Sequence, residues 1–251
     1  MKLCRNQVRV SNRKPRGTKP GQQKLRLGPP KLGQLRHGGR REGAGRKPAS
    51  RRRASHARRP LVLGRFPIHV TVRMKRDLPG LRNFERARVL YQAFVRGCTK
   101  LGFRICQFSI QGNHVHLIVE AASAEQLARG MQGWGVRVAR GINRELGREG
   151  RVLDDRYHAR SLKTPSEVRN ALCYVLQNAR RHDLALDPKW HGVDGFSSAW
   201  WFDGWAHDRW RRGLVPARDP PVAQAHSWLL STGWRRRGLI GITEVPPAAE
   251  R

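Results

Sequence analysis

Two histidines interrupt an otherwise apolar run, "HVHLIVEA", at residues 114–121. Because alternate side chains of a β-strand point to the same face, His114 and His116 share a face with Ile118 and Glu120. The opposite face is wholly apolar and consists of Val115, Leu117 and Val119. Imidazole is the commonest metal ligand in proteins, and two on one strand face can converge on a single ion. The alternative is a pair of ordinary exposed strand histidines.

A second candidate cluster lies in "TPSEVRNALCYVLQNARRH", residues 164–182. At about 100° per residue, one stripe of this helix is apolar, formed by Val168, Ala171, Leu172, Val175 and Ala179. Tyr174 lies away from that stripe, and Asn178, four residues on, lies on the same side, with Arg181 close by. We therefore predict that Tyr174 projects at the helix edge beside an amide that can bind a metal. The alternative is a rim tyrosine that packs its ring and bonds water.

The elements that must position these residues follow from periodicity and capping signals. Alternation predicts strands in "FPIHVTVRM" (66–74) and "FRICQFSI" (103–110), and "QGN" (111–113) predicts a hairpin turn before the histidine strand. Helical spacing predicts a helix over residues 83–102, ending at a glycine. It predicts a longer one after Ser123, with Gln126 at the reciprocal capping position.

Two further segments complete the series. "RVLDDRYHARSLK" (151–163) is predicted to be extended, and the helix that carries Tyr174 begins with Thr164 as cap, Pro165 and Glu167. The order β-α-β-β-α-β-α predicts an α+β fold. We predict a ferredoxin-like split βαβ antiparallel sheet with helices on one face and an added C-terminal helix that carries Tyr174. We expect the apolar face of the histidine strand to pack on the helices and its histidine face to be open.

Charge divides the chain into parts. The 251 residues carry a formal net charge of +33, and residues 1–60 hold 20 of the 51 basic residues but one of the 18 acidic ones. We predict a disordered basic arm over residues 1–60, a folded domain over 61–186 and a Trp-rich basic tail over 187–251. The charge favours nucleic acid as the partner. The sequence shows neither a basic helix with a bulky apolar face nor an apolar run of about 20 residues. We therefore expect no membrane association.

The beginning of the chain, "MKLCRNQVRV", has no apolar core segment, so we expect no signal peptide and a cytoplasmic, nucleoid-associated protein. The four cysteines are scattered, which supports neither a zinc knuckle nor a disulfide framework. We expect Cys98, Cys106 and Cys173 to be buried thiols.

Taken together, the two clusters resemble a known family. His114-Val115-His116 is similar to the HUH motif, two histidines that flank a hydrophobic residue, and Tyr174 with Asn178 is similar to the nucleophile helix of single-tyrosine HUH transposases. The segments "GNHVHLIV", "DDRYHAR" and "YVLQNARRH" most resemble the IS200-like, REP-associated (RAYT) branch. The resemblance covers residues 61–186 and says little about the arm or the tail.

The resemblance implies a metal-dependent transesterase. His114, His116 and Asn178 would bind Mg²⁺ or Mn²⁺, with Gln177 as a substitute for Asn178, since many relatives have glutamine there. Tyr174 would attack single-stranded DNA, in hairpin form in this family, and give a 5′-phosphotyrosine and a free 3′ hydroxyl. No general base is identified, although Arg181 could assist. The protein could act as a monomer or a homodimer, and the implied chemistry needs no nucleotide cofactor.

Further residues are candidates for the surroundings of the site. We predict DNA contacts by arginines on the two long helices: Arg137, Arg140, Arg144, Arg180 and Arg181. His158, Asp154 and Asp155 could line the site or be a solvated strand end, and Glu120 could support one imidazole. The tail tryptophans either stack on bases or form a packed satellite cluster, which we favour, with one or two exposed rings.

Two other functions compete with the enzyme. A catalytically idle or domesticated nucleic-acid-binding protein of the same fold explains the charge, but not why His114, His116, Tyr174 and Asn178 occur together. A pure binder would present stacking aromatics on its open sheet face, and the strands offer Phe103, Phe108 and little else. A basic protein that compacts DNA would need none of these residues.

Overall fold

The computed structural model describes residues 62–100, 102–181, 192–207 and 219–245, with the side chain of Arg181 outside the description. All of them belong to the second of two units into which the chain divides, residues 51–251. The predicted basic arm, Trp190 and Trp210 lie outside the described residues. In the described part, no helix has the length and apolar character needed to cross a bilayer.

Five strands and five helices follow one another in the described residues. They are β1 (Ile68–Arg73), α1 (Phe84–Val95), β2 (Thr99–Lys100), β3 (Phe103–Ile110), β4 (His114–Ala121), α2 (Ala124–Glu145), β5 (His158–Ser161), α3 (Pro165–Leu176), α4 (Asn178–Arg181) and α5 (Trp228–Ser231). The described part also contains 3₁₀ turns at Ser198–Trp201 and Gly233–Arg237. The strands form one sheet in the order β2-β3-β4-β1-β5, antiparallel at every pairing. The predicted α+β, ferredoxin-like class is confirmed.

One face of the sheet packs against α1 and α2. The α2 stripe predicted from the sequence is buried there, together with the apolar face of β4: Leu127, Met131, Trp134, Val138, Ile142, Val115, Leu117 and Val119. Ser123 caps α2 by accepting the backbone N–H of Gln126. A β-bulge at Cys106 keeps Phe103, Ile105, Phe108 and Ile110 all on this face while Cys106 itself packs on the other.

The second face of the sheet is covered, not open as predicted. Helix α3 and the C-terminal segment, defined as the described residues 192–207 and 219–245, pack against it. The reason is apolar surface on both sides: Ile118 and Cys106 on the sheet meet the stripe of α3, represented by Val168, Leu172 and Val175. Leaving these faces apart would expose both to water.

Helix α3 begins as predicted, with Thr164 and Glu167 forming a complete capping box and Pro165 in the first turn. Its end differs from the prediction. The helix stops at Leu176, Gln177 leaves helical geometry at φ −110° and ψ 14°, and Asn178 starts the separate turn α4. Tyr174 and Asn178 therefore do not share one continuous helix.

Helix α1 is shorter than the predicted 83–102. It ends at Val95, where the backbone N–H groups of Arg96, Gly97 and Cys98 bond to carbonyls of the last turn. Thr99 and Lys100 form β2 instead, since pairing with β3 offers their backbone a ladder. Cys98 is consequently half-buried, whereas Cys106 and Cys173 are buried as expected.

Candidate active site

The site begins with the two histidines of β4. Their Nε2 atoms lie 3.0 Å apart, and their rings meet edge to face with centroids separated by 4.7 Å. His116 is buried, and His114, at the end of the strand, is half-buried. The strand thus brings two imidazole nitrogens together, as the spacing predicts.

The neighbouring strand β1 holds the other nitrogen of His116. Thr71 lies directly opposite His116 in the register, and its Oγ1 is 3.1 Å from His116 Nδ1. His69 Nε2 is 3.2 Å from the same nitrogen. Asn113 Oδ1 lies 3.0 Å from His114 Nδ1. Each imidazole is therefore oriented by hydrogen bonds at both of its nitrogens.

His69 is the residue that sequence reasoning missed. Alternation in "FPIHVTVRM" already places His69 and Thr71 on one face of β1, away from Ile68, Val70 and Val72. What the alternation does not give is that β1 pairs with β4, which brings that face beside His116. Burial, together with the nearby charges of His158 and Arg160, lowers the pKa of His69 to about 4, so His69 is neutral at neutral pH.

Helix α3 brings Tyr174 onto these rings. The tyrosine ring lies 5.1 Å from the His116 ring and 5.8 Å from the His69 ring, both edge to face. Tyr174 is half-buried at the margin of the α3 core, as its position beside the apolar stripe predicts. The phenol of Tyr174 thus lies beside the imidazoles of His116 and His69, between the sheet and α3.

Asn178 and Gln177 are in different surroundings. Asn178 is fully buried, and neither atom of its amide has a hydrogen-bond partner. Gln177 is also buried, but its Nε2 donates to the carbonyls of Gly241 and Ile242 at 3.0 and 2.7 Å. The Gln177 side chain therefore fastens the C-terminal segment, which makes it a poor substitute for Asn178. An unpaired buried amide is costly unless a ligand completes it.

The donor set decides whether a divalent ion fits. In the described residues, no three side chains of the types His, Cys, Asp and Glu are grouped so as to hold a metal. The protein can instead offer the two imidazoles of His114 and His116 and the unpaired amide oxygen of Asn178. Two nitrogens and one oxygen suit a borderline ion such as Mn²⁺ and leave positions for other ligands. In the types of donor atom that they offer, these residues therefore fit the ion that the resemblance implies.

Three residues that could line the site, His158, Asp154 and Asp155, have exposed or half-buried side chains. His158 lies opposite Thr71 across the sheet, in one cross-strand row with His116, but its side chain is exposed. Asp154 is exposed and Asp155 half-buried, with its Oδ1 accepting the backbone N–H of Arg156.

Glu120 does not support an imidazole. Its carboxylate accepts hydrogen bonds from Arg104 and from the backbone N–H groups of His226 and Ser227. Burial by itself raises the pKa of Glu120, but these hydrogen bonds outweigh it and hold the pKa below its usual value. The residue that shares the histidine face is thus used to anchor the C-terminal segment.

Four of the five predicted DNA-contacting arginines have described side chains, and their contacts do not assign them to the site. Arg137, Arg140 and Arg144 lie on α2, which packs on the opposite face of the sheet from the histidines. Arg180 donates to the carbonyls of Gly192 and Ile242, so its guanidinium holds the C-terminal segment. A DNA contact by any of these arginines stays a prediction.

Comparison with known proteins bears on this geometry. Residues 65–178 match the family model described as "Transposase IS200 like". This segment is an IS200-like transposase domain. It contains both histidines of β4, Tyr174 and Asn178, and the IS200-like family named from the sequence is confirmed for these residues.

Solved structures that the chain matches include a REP-associated tyrosine transposase bound to a REP hairpin. The two are 17% identical, the match covers 69% of this chain and 96% of the transposase chain, and the TM-score is 0.47. Another is a predicted transposase from Deinococcus radiodurans, which is 14% identical, covers 53% of this chain and 99% of its own, and has a TM-score of 0.34. Among curated proteins, none matches the chain.

Proposed function

We propose that the transposase domain nicks and rejoins single-stranded DNA, with Tyr174 as the nucleophile. One observation carries the proposal: the Tyr174 ring lies 5.1 Å from the ring of His116, whose Nε2 meets His114 Nε2 at 3.0 Å. The tyrosine that we propose as nucleophile and the two imidazoles that we propose as metal ligands thus lie side by side, although they come from two separate elements, α3 and β4.

The chemistry of Tyr174 is a transesterification. Its hydroxyl oxygen forms a bond to the phosphorus of a DNA phosphodiester, and the bond from phosphorus to the 3′ oxygen breaks. The phenol loses a proton, and the departing 3′ oxygen gains one. The products are a 5′-phosphotyrosine and a free 3′ hydroxyl. Attack by a 3′ hydroxyl on the phosphotyrosine reverses the step and joins strands, so the phosphoester energy is kept.

His114, His116 and Asn178 would hold the divalent ion beside Tyr174. When bound, such an ion polarises the scissile phosphate and neutralises the charge that develops on it. The two imidazoles favour Mn²⁺ over the harder Mg²⁺. The orphaned amide of Asn178 supports this assignment, since a buried amide without a partner gains most from a ligand.

DNA as the partner is supported by charge and by family. A net charge of +33 favours binding to phosphate and makes the affinity depend steeply on salt. In the REP-associated branch that the sequence resembles, the DNA is a hairpin near the protein's own gene, and we extend this to the present protein. Action in the nucleoid belongs to the same proposal.

The rival function is a catalytically idle nucleic-acid binder of the same fold. An RNA-recognition-like binder would use an open sheet face, but α3 and the C-terminal segment cover that face in this protein. Phe103 and Phe108, the aromatics that such a binder would present, are buried against α1 and α2.

Covalent capture tests the proposal. The full chain is mixed with Mn²⁺ and with single-stranded hairpins from the flanks of its gene, labelled at the 5′ or the 3′ end, and run on a denaturing gel. We expect an adduct that keeps the strand 3′ of the cut and is absent in Tyr174→Phe and His116→Ala. A panel of hairpins that gives no adduct, while both variants bind DNA like the native chain, would identify the idle binder.

A further inference from the structure

We infer that Thr71 and His69 are positioning residues that keep the proton of His116 on Nδ1 and so leave Nε2 unprotonated for the ion. The inference rests on the proposed function and extends it to two residues of β1. The sequence resemblance assigned no role to either of them.

The argument begins with the tautomer of His116. A neutral imidazole carries one proton, and a histidine that binds a metal through Nε2 must keep it on Nδ1. Thr71 Oγ1 at 3.1 Å and His69 Nε2 at 3.2 Å are both placed to accept a hydrogen bond from that Nδ1–H. His116 is 4% exposed, so water has little access to replace these acceptors.

The backbone makes this arrangement rigid. Strand β1 is paired on both sides, with β4 and with β5, and Thr71 lies directly opposite His116 in the register. His69 lies opposite Ile118, which makes it the diagonal neighbour of His116 on the same face. The Thr71 hydroxyl and the His69 ring therefore approach the Nδ1 edge of His116 from fixed strand positions, while His114 faces the Nε2 edge.

A matched pair of substitutions at Thr71 isolates the hydroxyl. Thr71→Val keeps the shape of the side chain but removes the acceptor, whereas Thr71→Ser keeps the acceptor. In the full chain, titrated with Mn²⁺ and followed by the EPR signal of the free ion, Thr71→Val should weaken binding about 10- to 100-fold. Thr71→Ser should bind within about twofold of the native chain. His69→Leu should weaken binding, and His69→Gln, which keeps an acceptor, should restore part of it.

Nitrogen NMR gives a readout that a purely structural role would not move. In the metal-free native protein we expect His116 to carry its proton on Nδ1, and in Thr71→Val to show a larger share of the Nε2–H form. Unchanged Mn²⁺ affinity and an unchanged tautomer in Thr71→Val would overturn the inference. The His116→Ala variant distinguishes a failure of the positioning role from a failure of the metal site. If His116→Ala loses Mn²⁺ binding while Thr71→Val does not, only the positioning role fails. If it binds Mn²⁺ like the native chain, the metal site of the proposed function fails as well.

A second, independent observation concerns the surface of the C-terminal segment. We infer that Trp228, together with Arg236 and Arg237, forms a stacking platform for an unpaired base of single-stranded DNA. Trp228 is 50% exposed, although the other tail tryptophans in the described residues are buried or half-buried. The Arg236 guanidinium lies 5.1 Å from the centre of its ring.

The platform is held in place by its surroundings. The Trp228 ring lies so close to Gly233 that a Cβ there would come within 2.6 Å of it. Trp234 is buried beneath the same turn and donates its Nε1–H to the Leu230 carbonyl. The segment from Trp228 to Gly238 contains three arginines and no acidic residue, and Arg236 and Arg237 are exposed. Arg235 is paired with Asp203, so the other two are the candidates for phosphate contacts.

Single-stranded DNA fits this combination, because an aromatic ring stacks on an unpaired base while arginines follow the backbone. In fluorescence anisotropy with labelled oligothymidine and the full chain, Trp228→Ala should weaken binding about fivefold or more. Trp228→Phe should restore part of the loss. Phe84→Ala is the matched control, since Phe84 is a 74% exposed aromatic on α1, across the sheet, and should change nothing.

A salt series and a blunt-ended DNA duplex distinguish base stacking from the attraction between arginines and phosphates. The effect of Trp228→Ala should persist as salt rises and be absent on the duplex. Arg236→Ala with Arg237→Ala should make the slope of log affinity against log salt shallower by about 0.7 for each phosphate that the protein no longer neutralises. Native-like binding by Trp228→Ala, or an equal loss of affinity on single strand and duplex, would overturn the platform and leave a phosphate-binding patch alone.

Discussion

The imidazoles of His114 and His116 stand perpendicular to each other, at an interplanar angle of 89°, with their Nε2 atoms 3.0 Å apart. An ion bound between them would replace their mutual hydrogen bond with two ligand bonds. Alanine at either position should therefore lower Mn²⁺ affinity by more than about tenfold. His158→Ala, which removes an exposed imidazole from the same sheet face, should leave the affinity unchanged in the same EPR titration. Equal losses in all three variants would mean that the ion is held elsewhere.

Arg82 and Asp194 form a two-pronged ion pair at 2.8 and 2.9 Å, and Asp194 is almost completely buried. Arg82 also donates to the Ile110 carbonyl, just before the turn that leads to His114. Arg82→Met leaves a buried carboxylate without its cationic partner and should lower the free energy of unfolding by about 3 kcal/mol. Asp77→Asn breaks an exposed pair with Lys75 and should change it by less than about 0.5 kcal/mol. Urea unfolding measures both, and similar values would contradict the assignment.

Glu244 ties the C-terminal segment to α3 through Arg169, with contacts at 2.7 and 2.9 Å. The hydrogen bond from Arg169 lowers the pKa of Glu244 more than partial burial raises it. A lowered folded-state pKa gives stability that is present above about pH 4.5, the ordinary value, and is lost as the pH falls through the folded value.

Glu244→Gln should therefore melt at a lower temperature than the native chain at neutral pH, and the gap should close as the pH falls below about 4.5. Thermal unfolding over an acid pH series measures the gap. Glu125→Gln, at an exposed pair on α2, serves as the control and should show no such gap. A gap for Glu244→Gln that stays constant with pH would rule out the ionised carboxylate as its source.

Two glycines of α2 should respond in opposite ways to alanine. A Cβ at Gly130 would overlap the buried Phe103 ring, so Gly130→Ala should destabilise the fold by roughly 1–3 kcal/mol. A Cβ at Gly133 would lie 3.3 Å from the flexible end of Arg137, and there alanine should stabilise the helix by up to about 1 kcal/mol. Chemical denaturation of the two variants gives the signs directly. A stabilising Gly130→Ala would show that α2 does not pack on β3 as closely as described.

Much of the fold could be predicted because local signals agree with it. The capping box at Thr164, the apolar stripe of α2 and the alternation in β4 each depend on residues a few positions apart, and all three are confirmed. The predicted end of α1 was wrong because β2 forms by pairing with another strand, and helical spacing carries no information about that partner.

The site could be predicted in part for the same reason. His114 and His116 are neighbours on one strand, so their pairing is local. The contacts of His116 with His69 and Thr71 depend on which strand lies beside β4, a long-range pairing between residues 47 and 45 positions apart. The covered histidine face was missed because it depends on how a segment more than 100 residues away packs on Glu120 and Ile118.

Peptide mapping of the covalent adduct tests the central claim most directly. The chain is incubated with Mn²⁺ and hairpin DNA, digested with nuclease and trypsin, and analysed by mass spectrometry. The account predicts a phosphonucleotide on the peptide from Asn170 to Arg180, attached to Tyr174 through a 5′ phosphate. An adduct on Tyr91 or Tyr157, or attachment through a 3′ phosphate, would contradict Tyr174 as the nucleophile.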